Sequence, residues 1–499
     1  MILSTNRNNA LLLTAMIACF AMIFIDESGI AVALPLIQQQ LALTNNTAHW
    51  VINAYLLSLS VLLLLGGKLS DSYGQRTIFI VGVCIFVIAS FICGCAPNAW
   101  ILISGCLLQG LGASFATPCI TILISRGFPE NQFGKAFGLV LGFSNFFYAI
   151  GPFIGGAITE FLSWRWFFWI NIPIGLVCVI LTFLSVAKDT LTEQRHFSDF
   201  IGLFTFIIAL TALIFAIMQG ASWGWHNSWI MSLFVIAIVG LSVSVKIELQ
   251  SKTPLLNMRL FENKIFSASN IVLFCASLCL TSMVFWALWL QASMGFSPAT
   301  VGLALLPATI AFIFIPSISG AWQDKAGARG PMLCGALLVF IGILWITCVL
   351  SFEKYDGLLP GLLMFGLGIP LVIPSSITSI MTSVTREHSG TASGIFNTVR
   401  QAALTAGVAI LSAILSSYNT THLSEVLATS SNYHTVTVNQ VNWLLVGKNT
   451  LSQLNPSQVN FLKQTGATIY THALIQGMIV MTLIAAIASL VVLLYIKKR

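Results

Sequence analysis

Two adjacent acids, Asp26 and Glu27, interrupt the otherwise apolar stretch AMIFIDESGIAVALP near the start of a 499-residue chain that has only fifteen acidic residues. In a helix that starts near Leu11, Asp26 lies about 22 Å along the axis, well inside a hydrocarbon layer about 30 Å thick. A charge at that depth costs about 2.5–3.5 kcal/mol on insertion scales and is seldom kept without a function. Apolar surroundings disfavour the charged form of a carboxyl, so the chemistry that suits Asp26 is the loading and release of a proton. Neighbouring helical residues point about 100° apart, so the two acids cannot share one direction. Arg400 is the only basic residue deep in an apolar run, about 15 Å inward from Gly390 by helical rise. A pairing with Asp26, an anionic substrate and interhelical bonds to carbonyls all remain open for it, with a structural or gating role favoured over substrate contact. None of the seven histidines lies near a bilayer centre, and there is no phosphate-binding glycine loop with lysine and no zinc spacing. This argues against a histidine relay, ATP-driven pumping and metal catalysis, and no cofactor is expected.

A second constellation lies in the short charged turn GGKLSDSYGQRT. Its Gly67, Asp71, Gly74 and Arg76 recur with the same spacing as Gly320, Asp324, Gly327 and Arg329, displaced by 253 residues. A weaker echo, GKAFG at Gly134 and GTASG at Gly390, is displaced by 256. A glycine-bounded turn lets two helices approach closely, and an aspartate with an arginine can make charge-assisted hydrogen bonds to a neighbouring helix end or loop. Such contacts can form in one state and break in another.

The elements that carry these residues belong in a membrane. With 57% hydrophobic and 7% charged residues and a mean hydropathy of +0.93, the chain cannot make a soluble globule. Fourteen apolar spans are expected at 11–36, 48–66, 77–96, 99–125, 135–159, 166–187, 200–219, 228–247, 265–291, 298–320, 331–351, 357–382, 391–416 and 473–495. They are continuous rather than alternating, which predicts an all-α integral membrane protein. The apolar run after Arg7 reads as the first of these spans rather than a cleaved signal. With the amino terminus placed in the cytoplasm, only Arg165, Lys354, Lys448 and Lys463 among the loop cations fall outside, which predicts that both termini are cytoplasmic. The net charge of +7 is therefore topological, with no nucleic-acid partner expected. The repeat aligns span 9 with span 1 and predicts a 6 + 2 + 6 arrangement. Residues 1–190 form an N-terminal bundle, 191–262 an inserted pair with cytoplasmic linkers, and 263–499 a C-terminal bundle. The last of these includes a long outside loop, 417–472, read as a tolerated insertion rather than a partner-binding cap.

Taken with the repeated loop, several motifs resemble the fourteen-span drug/proton antiporters of the major facilitator superfamily, the EmrB/QacA-like multidrug efflux transporters. They are DESGIAVALP in span 1, WVINAYLL in span 2, LLQGLGASF in span 4, GPFIGG in span 5, WRWFFWINIPIG entering span 6 and GTASGIFNTVRQ entering span 13. The resemblance implies the major facilitator fold, in which two six-helix bundles rock about a central cavity and move a small molecule by alternating access. It assigns Asp26 as the proton-coupling carboxylate with Glu27 as an auxiliary group. It makes Gly67, Asp71, Gly74, Arg76, Asp324 and Arg329 a cytoplasmic gate that latches the outward-facing state. Gly138, Gly151, Pro152, Gly155 and Gly156 match the antiporter motif that marks exporters, although Phe147 stands where one glycine is expected. Many members carry an arginine in span 4 where this chain has Cys106, so the partner of Asp26 must be sought elsewhere. Asn53, Gln109, Asn145, Asn171, Asn397 and Gln401 are candidates for cavity lining or interhelical hydrogen bonds. Trp286 and Trp289 suit either an aromatic drug site or packing.

The function expected is a proton-coupled multidrug antiporter of the cytoplasmic (inner) membrane, whose partners are a small-molecule substrate, protons and the bilayer. A periplasmic adaptor and outer-membrane channel stay open as further partners. The alternatives are a dedicated exporter of an endogenous metabolite such as a siderophore, and a non-transporting sensor or an enzyme on the same fold. No nucleophile with a base, and no metal set, supports an enzyme.

Overall fold

The computed structural model of the chain describes residues 2–43, 45–189, 200–225, 227–250, 258–296, 298–385, 388–429 and 456–496. Within them the regular elements are helical, as hydrocarbon demands of long apolar segments whose backbone groups must bond internally. The first half comprises α1 (Ile2–Gln40), α2 (Asn45–Tyr73), α3 (Gln75–Gly94), α4 (Ala99–Gly127), α5 (Glu130–Phe161), α6 (Trp164–Trp169) and α7 (Asn171–Ser185). Two helices follow, α8 (Phe200–Trp223) and α9 (Ser228–Gln250). The second half comprises α10 (Lys264–Leu280), α11 (Ser282–Ala292), α12 (Pro298–Ala304), α13 (Leu306–Thr309), α14 (Ala311–Ala326), α15 (Arg329–Val349), α16 (Tyr355–Thr382), α17 (Ser389–Thr429) and α18 (Pro456–Tyr495).

Among the described residues twelve helical segments are long and apolar enough to cross a membrane, counting α6–α7, α10–α11 and α13–α14 as one each. In α5 the segments Gln132–Tyr148 and Phe153–Thr159 meet at 41°, around Gly151 and Pro152, where proline removes one ladder hydrogen bond. The apolar part of α8, Phe204–Gly220, is shorter.

The two halves are built alike. Gly82 of α3 meets Gly112 of α4 so closely that a Cβ on either would stand 2.7 Å from the other's carbonyl oxygen. Gly335 of α15 and Gly368 of α16 meet at the same 2.7 Å, and this close backbone approach is what small residues permit between membrane helices. One core gathers α1 to α7 and extends to Phe266, Ile377 and Phe396 of the second half. The other lies around Trp289, Phe365 and Met478. α8 bridges the halves, touching both α2 and α17, with Leu210 and Ile214 packed on Val61, while α9 packs chiefly on α8.

Several expected boundaries shift. The expected outside loop is much shorter than 417–472, because α17 continues to Thr429 and α18 begins at Pro456. Falling hydropathy marks where a helix leaves hydrocarbon, not where it stops, and Leu423, Leu427 and Leu462 in these extensions are buried. Residues 430–455, with Lys448, lie outside the described residues, as does the boundary expected at 190/191. The span expected at 298–320 is broken at Leu305 and Ile310, close to Pro307, and that at 265–291 is broken at Thr281. There the Thr281 hydroxyl donates to the carbonyl of Leu278 at 2.6 Å, a local bond that competes with the helix ladder.

Both repeated turns depend on glycine. Gly74 (φ 95°, ψ 140°) opens α3, and Gly327 (φ 81°, ψ 169°) closes α14, in a region of backbone space essentially confined to glycine. Replacing either by alanine is expected to lower stability by about 1–3 kcal/mol, read as a fall in the melting temperature of the detergent-purified protein. Gly74→Ala should be the worse, because its Cβ would collide with the Asp189 carboxyl. Equal melting of both variants with the parent would contradict this.

Candidate functional site

Asp26 is buried (4% exposed) where α1, α3, α4 and α7 converge. The Gln109 side-chain amide donates to Asp26 Oδ2 at 2.8 Å, and that of Asn171 donates to Oδ1 at 2.8 Å. The same two amides donate to the Ser90 hydroxyl, Gln109 at 2.8 Å and Asn171 at 3.5 Å, so both amide N–H bonds of each are used. Cys93 donates to Gln109 Oε1 at 3.6 Å, and its sulfur lies 4.0 Å from that of Cys106. Asp26 is thus held entirely by neutral donors. Cys106, at the position where the resemblance leads one to expect an arginine, is joined to this network through the Cys93 sulfur. Asn171 was visible in the sequence only as one of six amides in spans, and nothing in the spacing pointed to Ser90.

Glu27, half-buried, accepts no hydrogen bond among the described residues. It interacts electrostatically with Arg400 of α17, although no ion pair within 4.0 Å joins them. Asp26, Glu27, Gln109 and Tyr55 share a narrow cavity of about 10 Å³, room for about one water. A larger cavity, about 50 Å³, lies between the halves and brings together Asn145, Asn397 and Arg400 with Phe20, Phe137 and Phe312. Asn145 donates across it to the carbonyl of Phe312 at 3.2 Å, and Asn397 donates within its own helix to Ser393. Arg400 Nε is buried without a hydrogen-bond partner among the described residues. Asn53 lines neither cavity. Trp286 and Trp289 do not line them either. Their indole N–H groups donate to Met478 Sδ at 3.2 Å and to the Thr471 hydroxyl at 2.9 Å inside the second core, and Trp286 packs edge-on against Phe365. Packing, the second option open from the sequence, is where the structure puts them.

At the end of the molecule that carries the two repeated turns, the echoes meet one another. The backbone N–H groups of Gly390 and Thr391, in the first turn of α17, donate to Asp71 at 2.8 and 2.7 Å, joined by the Thr391 hydroxyl at 3.0 Å. Those of Gly134 and Lys135, near the start of α5, donate to Asp324 at 3.0 and 2.9 Å. Each aspartate crosses from its own half to the other; Asp71 meets the first turn of α17, where unpaired N–H groups and the helix dipole favour a carboxylate, whereas Asp324 meets the fifth and sixth residues of α5. Gly390 and Gly134 lack the Cβ that would fill the space of these carboxylates, and Gly67 and Gly320 lie directly on the facing backbone. Arg76 and Arg329 do not cross between halves. Arg76 donates to the carbonyl of Phe183 at 3.3 Å and stacks on its ring, and Arg329 donates to the carbonyl of Leu493 at 3.3 Å. Each therefore ties its turn to the last helix of its own half. Asp189, not anticipated from the sequence, accepts from the N–H and hydroxyl of Thr77, both at 3.0 Å, beside Gly74.

The glycines of α5 divide between two partners. Gly138 lies against Pro316 and Ser317 of α14 in the second half. Beyond the bend, Gly151 faces Ile25 and Ser28, Gly155 would place a Cβ 2.7 Å from the carbonyl oxygen of Gly29, and Gly156 faces Val32. GPFIGG therefore packs on the stretch of α1 that carries Asp26. Of Pro152 only the backbone is described.

A profile of the Major Facilitator Superfamily matches residues 16–408. The multidrug resistance protein Stp of Mycobacterium tuberculosis is 30% identical over 424 residues, covering 83% of this chain and 77% of that protein. The methylenomycin A resistance protein of Bacillus subtilis is 29% identical over 415 residues, covering 83% and 89%. Among solved structures, the proton:xylose symporter XylE bound to 6-bromo-6-deoxy-D-glucose is similar with a TM-score of 0.58 at 12% identity, covering 99% of this chain and 97% of that one, a likeness of fold. Profile, relatives and architecture agree: the chain belongs to the major facilitator superfamily and is a multi-pass membrane transporter, not an enzyme.

Proposed function

We propose that this transporter is a proton-coupled antiporter that exports small organic compounds, drugs among them, across the cytoplasmic membrane by alternating access. The observation that carries the reading is Asp26, a carboxyl buried among neutral amide donors beside a water-sized cavity. Its surroundings hold a proton acceptor in place without neutralising it by a fixed cation. A cationic cargo competes with the proton for this acid: protonation releases cargo outside, and deprotonation inside restores affinity. The relatives named for multidrug and methylenomycin A resistance support organic cargo and export.

In this reading the membrane is crossed fourteen times, by the twelve long apolar segments together with the bent α5 and the shorter α8. Both termini are cytoplasmic. Residues 1–190 and 263–499 are the moving bundles, and 191–262 is the insert. The Asp71 and Asp324 clasps are the cytoplasmic gate, closed in the outward-facing state, with Gly67 at the crossing and Gly74, Arg76 and Arg329 bracing each turn. The α5 glycines Gly138, Gly151, Gly155 and Gly156 seal the pathway against proton leak, and Arg400, Asn145 and Asn397 line it.

The test is proton release by purified protein on addition of cargo, across a panel of lipophilic cations, anions and siderophores. It is paired with transport into vesicles under an imposed pH gradient. Release on binding, and accumulation of cargo driven by the gradient, are expected. Transport that proceeds indifferent to any proton gradient would remove the coupling.

A further inference from the structure

We propose that the Tyr55 hydroxyl, together with one water in the cavity it shares with Asp26 and Glu27, relays the proton between the two acids. Glu27 is then the port that faces the second half, and Asp26 the store. The inference rests on the reading of Asp26 as the coupling carboxylate.

Tyr55 of α2 is buried (5% exposed), and its hydroxyl has no hydrogen-bond partner among the described residues. A buried hydroxyl left unpaired is strongly disfavoured. Tyr55 lines the cavity that Asp26, Glu27 and Gln109 also line, together with the apolar Ile30 of α1 and Ile52 and Leu56 of α2. The cavity's volume, about 10 Å³, matches about one water, and Asp26, Glu27, Tyr55 and Gln109 are the lining residues that carry hydrogen-bonding groups.

The donors around Asp26 then fix the route. Both of its oxygens already receive amide N–H groups from Gln109 and Asn171, and an N–H cannot accept a hydrogen bond. The O–H of protonated Asp26 can turn to the cavity, where the Tyr55 hydroxyl, Glu27 and the Gln109 amide oxygen belong to the lining residues that can accept it, directly or through a water. Tyrosine both donates and accepts, so a proton can pass without any group holding an extra charge for long. Protonated Glu27 gives its proton to the water, the water gives one to the Tyr55 oxygen, and the original Tyr55 proton moves to Asp26. Each O–H bond broken is matched by one formed, and the net result is a neutral Asp26 and a Glu27 carboxylate, with no redox partner needed.

Glu27 connects this exchange to the motion of the halves. It interacts with Arg400 of α17 and with Tyr148 of α5, so displacing α17 changes the charge that Glu27 faces. The other titratable groups acting on Tyr55 are Asp26 and Cys19 of α1 and Cys106 of α4.

The test is Tyr55→Phe in the full-length protein in vesicles, beside Asp26→Asn. Tyr55→Phe is expected to slow gradient-driven transport by about 10²-fold, the scale on which proton-transfer groups act, and to shift its pH profile. Cargo–cargo exchange at fixed pH and cargo affinity should stay at parental values. Parental driven transport in Tyr55→Phe, with Asp26→Asn inactive, overturns the relay and leaves the coupling reading standing. Loss of exchange along with driven transport makes Tyr55 a packing residue and also overturns it. Driven transport that survives Asp26→Asn overturns the coupling reading and the relay with it.

Discussion

Asp26→Asn is expected to abolish gradient-driven transport, a fall of at least about 10²-fold, and to weaken the binding of cationic cargo by removing the charge it competes for, while exchange at fixed pH persists once cargo is raised to offset that loss. Asparagine preserves volume and one acceptor oxygen, so one of the amides of Gln109 and Asn171, each 2.8 Å from the acid, can still be satisfied. The new side-chain NH2 must face the other, a donor against a donor, which costs about 1–3 kcal/mol. Some stability is therefore lost along with the titratable group, so exchange must be measured on the same preparation. Asp26→Glu, which restores a carboxyl in a tighter space, should recover part of the driven rate. Driven accumulation by Asp26→Asn within about twofold of the parent would place the coupling acid elsewhere.

The second large effect is expected at the clasps. Each aspartate receives two successive backbone N–H groups from the opposite half, and a hydrogen bond to a charged group contributes about 1.5–3 kcal/mol. Asn at either position keeps one acceptor and turns its NH2 towards the other donor. Losing one such bond shifts the ratio of closed to open forms by about 10- to 150-fold. Asp71→Asn and Asp324→Asn should each slow turnover without abolishing cargo binding, and the double variant should shift the equilibrium further than either. Distances between spin labels placed across that end of the molecule read the shift directly. An unchanged distance distribution in the double variant would mean that the clasps do not hold the halves together.

Much of this was legible before any fold was known, and what was not has identifiable causes. The repeated turn located both clasp aspartates, because its glycines and charges keep the same spacing in two places. What no linear pattern holds is that the two echoes are partners: Asp71 meets GTASG, and Asp324 meets GKAFG, across the halves. Arg76 and Arg329 share the motif but not its contact, since each guanidinium finds a nearer carbonyl at the end of its own half's last helix. Asp26 stood out because it and Glu27 interrupt an otherwise apolar stretch. Its partners did not, because Ser90, Gln109 and Asn171 come from three separate helices and amides are common in spans. Trp286 and Trp289 could be placed only by three-dimensional packing, and the extent of α17 and α18 was hidden because hydropathy reports the solvent rather than the backbone.

The length of α17 carries a mechanical implication. Its first turn is gripped by Asp71, and it then runs for 41 residues, about 60 Å and about twice the hydrocarbon thickness. Such a rod is a lever with its fulcrum in the bilayer: a tilt of about 10° at mid-height sweeps the distal tip through about 5 Å. In the proposed topology that tip lies outside, so an antibody fragment clamped on it is expected to slow transport without ever entering the cargo's path.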